Sequence, residues 1–177
     1  KEQLPAVPVR DWPKELNDNG EPISTLLRMS EEPPAQDDYP RWSDLLFACV
    51  EHVELLNALN SPVPFYSPRY SRVGETFCYL KFDQQDRKAL VEFRAKLEDP
   101  LSLELQRSGL GSHIGGGTGQ MYAYIFLALS DVTRAIEVIR QTLRAHLAPK
   151  RSWLLFYDVD LVAEWIGIWD DTPQPPV

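Results

Sequence analysis

The sequence predicts an α+β fold: a ferredoxin-like sheet with helices on one face, preceded by an N-terminal arm and an extra helix. Three observations carry that expectation. Strand-like runs are followed by helix-like runs twice in the second half, as right-handed crossovers in such a sheet require. Each unit switches from continuous apolar residues to a period near 3.6. Finally, 177 residues, 44% of them hydrophobic, suffice for one core without metal or disulfide staples.

Seven of the fifteen prolines fall within the first forty residues, with a turn signal at Asn17-Asp18-Asn19-Gly20, so 1–40 reads as an arm. Within it only 23–29 is apolar enough for a short strand or helical turn. The domain then runs over 41–177. Trp42, Leu45, Leu46, Cys49, Val53, Leu56 and Leu59 recur at helical spacing behind Ser43 and Asp44, predicting a helix that ends near Asn60, before Pro62, Pro64 and Pro68.

The first repeated unit is a strand over 77–82 and a helix marked by Leu90, Phe93 and Leu97, with a break expected at Pro100. Between 101 and 114 composition allows a short helix ending at Gly109 and then a strand, or the reverse order. The second unit is a strand over 121–129, a cap at Ser130-Asp131, and a helix lined by Val132, Ile136, Ile139, Leu143 and Leu147. Pro149 stops it. Returning strands follow at 153–157 and 165–169.

The net charge of −8 is unevenly placed. Residues 1–40 hold four basic and nine acidic side chains, and 149–177 hold two and five, whereas 41–148 carry twelve of each sign. Acidic ends repel phosphate backbones, so the expected partner is a basic protein and not nucleic acid. No apolar run reaches the ~18 residues of a membrane span. Cys49 and Cys78 lie in apolar runs, as buried, reduced thiols do. Cys49 and His52 share a helical spacing, but a closed zinc site needs four ligands, so neither metal nor cofactor is expected.

Two stretches stand out as candidate sites. Asp158, Asp160, Glu164, Trp165, Trp169, Asp170 and Asp171 interleave carboxylates with tryptophans, a composition suited to holding a basic partner. Nothing in it demands catalysis. The alternative is the run 109–119, six glycines in eleven residues, where Gly115, Gly116, Gly117, Thr118 and His113 could cradle an anionic ligand of a small-molecule enzyme or binding domain. Against this, the run leads into a strand and lacks the Lys-Ser or Lys-Thr of a phosphate loop; a turn or bulge needing glycine explains it more simply.

The glycine run ending Gly-Gly-Gly-Thr-Gly, the strand Tyr124-Ile125-Phe126-Leu127, the Asp131-led helix with Ala135-Ile136 and Ile139-Arg140, and Glu164-Trp165-Ile166-Gly167-Ile168 together resemble small bacterial immunity proteins of polymorphic toxin systems. The resemblance covers about a third of the chain. It implies a single-domain cytoplasmic protein that neutralises a toxin by presenting acidic side chains to a basic enzyme.

Overall fold

A computed structural model describes residues 25–28, 37–50, 55–56, 64–83 and 90–176. Its elements are β1 (Thr25–Arg28), β2 (Leu45–Val50), α1 (Ser67–Tyr70), β3 (Thr76–Asp83), α2 (Leu90–Ser108), β4 (Gly111–Gly119), β5 (Tyr122–Leu129), α3 (Val132–Ala145), β6 (Ser152–Phe156) and β7 (Trp165–Gly167). The fold is α+β. Seven strands form one sheet in the order β1-β2-β4-β5-β3-β6-β7, and every neighbouring pair is antiparallel.

The central strands are buried on both faces, and the two faces differ in chemistry. Cys78, Leu80 and Phe82 of β3, Ile125, Leu127 and Leu129 of β5, and Leu154 of β6 share a largely aliphatic cluster with Leu97, Leu101 and Leu105 of α2 and Ile136, Ile139 and Leu143 of α3. The alternate residues, among them Phe77, Tyr79, Tyr122, Tyr124, Phe126, Trp153 and Tyr157, build an aromatic cluster on the opposite face. Both long helices therefore cover one face. On the aromatic face Tyr39, Leu55, Leu56 and Phe65 pack against the sheet residues, among them Leu45, Ala48 and Val50 of β2.

The helix ends follow from local chemistry. Asp131 caps α3 by accepting the Arg134 amide at 3.0 Å. Gly109, at φ 66°, closes α2: its amide reaches Gln106 O at 3.1 Å and the Leu110 amide reaches Leu105 O at 3.1 Å. That pairing is the usual glycine stop, and it delivers Leu110 into the core. The ambiguity over 101–114 resolves as helix, Gly109, then strand. The break expected at Pro100 does not occur, because Leu97, Leu101 and Leu105 are buried along one stripe and an Arg94–Glu98 ion pair at 2.9 Å braces the preceding turn.

The extra helix expected from Ser43 onward is corrected at its start: Leu45–Val50 is a strand, paired to β1 and β4. A register irregularity between Leu45 and Phe47 puts the inward residues Leu45, Ala48 and Val50 three and then two positions apart. A bulged strand thus imitates the helical period. Leu55 and Leu56 are helical and buried, while His52 and Val53 lie outside the described residues. The sheet also draws Thr25–Arg28 from the N-terminal stretch, within the apolar 23–29 segment, so the fold extends beyond the expected boundary at 40.

A candidate binding cleft on the aromatic face

Residues 38–44 lie across the aromatic face and are tied down by polar groups. The buried Lys81 ammonium donates to the Tyr39 carbonyl and sits 3.9 Å from the Tyr122 ring centroid. The Tyr39 hydroxyl donates to Gln120 Oε1 at 2.8 Å, and Arg151 reaches Asp38 at 2.8 Å while pairing with Asp83 at 2.6 Å. Asp44, fully buried, accepts the Met121 amide at 2.8 Å, the Tyr122 amide at 3.0 Å and the Tyr124 hydroxyl. Burial raises the Asp44 pKa, opposed by those hydrogen bonds and by Lys81. A side chain at Gly119 would collide with this carboxylate.

Beyond Asp44 the same segment forms one wall of a cleft of about 540 Å³. Its lining combines Arg41 and Trp42 of that segment, Tyr79 of β3 and Leu155 of β6, Glu164 and Trp165 near β7, and Pro175 and Pro176 of the C-terminal tail. Trp42 is fixed against Tyr79 (centroids 5.2 Å) and Tyr157 (5.3 Å), and the Arg41 guanidinium lies 5.7 Å from its ring. Arg41 adopts a left-handed φ of 44°, a strain on the order of 1 kcal/mol for a residue with a side chain. The turn bonds Ser43 N to Pro40 O (3.0 Å) and Leu45 N to Trp42 O (2.9 Å) hold it there. The arrangement can take an apolar or aromatic group against its two tryptophans; among the described lining residues no nucleophile stands beside a base.

The seven C-terminal candidates divide among four places. Glu164 and Trp165 line the cleft, and Asp160 is exposed on the 3₁₀ turn Val159–Leu161. Trp169, Asp170 and Asp171 sit at the end of α3: the Trp169 indole donates to the Ala148 and Pro149 carbonyls, Asp170 pairs with Arg144 at 2.8 Å, and Asp171 pairs with Lys150 at 2.7 Å. The Lys150 hydrogen bond holds Asp171 below the usual carboxylate range. Asp158 does not belong to a surface. It is buried, accepting the Ser67 amide at 2.7 Å and the Ser67 hydroxyl.

Two arginines of α3 have internal partners. Arg140 donates to Gly167 O at 3.0–3.1 Å and Arg144 to Ile168 O at 2.8 Å, so the helix fastens the chain following β7.

The glycine run is not a ligand loop. Gly115, Gly116 and Gly117 are strand residues paired to β2 on one side and β5 on the other. A methyl group at Gly115 would strike the Cys49 carbonyl, at Gly116 the Glu98 carboxylate, and at Gly117 the Leu45 side chain. Glycine is needed here for close packing, with a bulge between His113 and Gly115. His113 is three-quarters buried, its Nε2 3.5 Å from Glu98, and Thr118 accepts from Arg94 at 3.2 Å. No anion cradle remains.

Sequence reasoning missed Arg41, Trp42, Tyr79 and the two prolines. The usable signal was the alternation of aromatic with aliphatic residues in 77–82 and 122–129, which marks a second, chemically distinct sheet face. Among the described residues no group of three His, Cys, Asp or Glu side chains could hold a metal, Cys49 and Cys78 are free thiols, and no helix is long and apolar enough to cross a membrane. No protein-family model, no curated protein and no solved structure matches the chain.

Proposed function

We propose that this chain is a non-catalytic protein-binding domain of the immunity type, which neutralises a basic toxin in the bacterial cytoplasm. Its central β3-α2-β4-β5-α3-β6 segment serves as a ferredoxin-like scaffold, a reading supported by the internal strand order β4-β5-β3-β6 and by two helices on one face. The observation that carries the binding reading is the cleft, whose lining includes two tryptophans, Trp42 and Trp165, together with the exposed Glu164. Buried tryptophan supplies most contact energy at protein interfaces, and rim carboxylates steer a basic partner.

The partner-binding set contracts accordingly to Asp160, Glu164 and Trp165. Asp170 and Asp171 already have cations of their own. The test is co-expression with the product of the adjacent reading frame, followed by affinity and rate measurements. Trp165→Ala is expected to weaken binding by about thirtyfold, and Glu164→Lys to slow association and flatten its salt dependence. Unchanged binding in both variants would sink the assignment of this surface.

A further inference from the structure

The cleft is lined by part of the protein's own C-terminal tail, and that contact shows what it accommodates. Pro173, Gln174, Pro175 and Pro176 follow a turn in which the Thr172 hydroxyl accepts the Trp169 amide at 2.8 Å. The Trp153 indole then donates to the Pro173 carbonyl at 2.6 Å. Two residues further along the same face of β6, beside Leu155, Pro175 and Pro176 line the cleft. Proline has no amide hydrogen and a fixed φ, so a proline-rich segment presents carbonyls and flat apolar rings without a large ordering cost. Indole donors and an aromatic lining are the complement of that chemistry.

We infer that the remaining space of the cleft, whose lining includes both Trp42 and Trp165, docks an extended proline-rich segment of a partner carrying a lysine or arginine beside its prolines. The guest lies alongside the tail, with its rings against the two indoles. Among the described residues no cation pairs with Glu164, whose exposed carboxylate is left to meet the guest's basic side chain. The basic choice agrees with the acidic charge of the chain. This inference rests on the protein-binding reading above and adds the chemistry of what is bound.

The experiment titrates the full chain with acetyl-Pro-Gln-Pro-Pro-Arg-amide, following the indole N–H resonances, with acetyl-Ala-Gln-Ala-Ala-Arg-amide as control. Saturable shifts of Trp42 and Trp165 are expected, with Trp153 unmoved because the tail stays in place, and with the control at least about tenfold weaker. Trp165→Ala is expected to reduce affinity about thirtyfold and Glu164→Gln about threefold. Unchanged Trp153 and Trp169 resonances certify that the variants are folded.

Equal affinity for the two peptides, shifts confined to Trp153 and Trp169, or no shift at all would overturn the inference. So would a dimer that forms without peptide and is abolished by Pro175→Ala with Pro176→Ala, because the guest would then be the tail of a second copy. A protein partner that still binds in a Trp165-dependent way, while the peptide does not, removes only the proline chemistry. Loss of both removes the cleft as a binding site.

Discussion

Lys81 lies in the aromatic layer with no exposed surface, and burial pulls its pKa down from 10.5 to about 8 against the attraction of Asp44 and Asp38. In the unfolded chain the same ammonium keeps its proton up to its ordinary value. Between about pH 8 and 10.5 the unfolded state therefore binds more protons than the folded one, and stability rises with pH. Below pH 8 both states are charged and the contribution is flat. At about 1.4 kcal/mol per pH unit, the window is worth about 3 kcal/mol. Lys81→Met keeps the stem and removes the titration. Urea unfolding, followed by tryptophan fluorescence from about pH 7 to 10.5, yields stabilities for both proteins. Their difference cancels the exposed lysines and the buried tyrosines, which also titrate at the alkaline end. Wild type should gain about 3 kcal/mol on the variant across that range, mostly above pH 8. A difference that does not vary with pH would refute the claim that the ammonium is buried in the fold.

Removing the Asp158 carboxylate leaves the Ser67 amide and hydroxyl buried without their acceptor, so Asp158→Ala should lower the urea-unfolding free energy by about 3 kcal/mol while partner affinity stays unchanged. Gly115 combines φ 146° with a backbone carbonyl where a side chain would stand; Gly115→Ala should cost about 2 kcal/mol and lower Tm by about 4–8 °C in a circular dichroism melt. Arg144→Ala strips the donor from Ile168 O and frees Asp170, so exchange of the Ile168 amide should accelerate by roughly tenfold while the amides of α3 keep their protection.

Much of the α+β pattern was legible because the elements carry their own local signals. The strands 77–82 and 121–129 and the Asp131 cap each rest on residues close together in sequence. What failed did so for non-local reasons. A bulge gave β2 the spacing of a helix, and only its pairing with the glycine-rich β4 reveals it. The glycine run looked open because glycine signals both loops and close approach, and which applies depends on β2, β5 and α2 arriving from elsewhere. Acidic residues adjacent in sequence were separated by topology: Asp158 points into the fold toward Ser67, whereas Asp170 and Asp171 meet cations of α3 and the loop after it. The cleft unites 40–43 with 162–176, more than a hundred residues apart, and no local pattern carries such a contact.

The polar ties over residues 38–44 also set an order of assembly. Lys81, Tyr124 and Arg151 come from β3, from β5 and from the residue preceding β6, and these stand side by side only after β5, β3 and β6 have paired. Until then the segment has nothing to close on. If its contacts close after the rate-limiting pairing of the strands, weakening them is expected to speed unfolding and leave refolding almost untouched, a pattern that stopped-flow refolding and unfolding of Lys81→Met reads directly. On that order the clasp would act on the lifetime of the folded domain, and the sheet beneath on the speed of its formation.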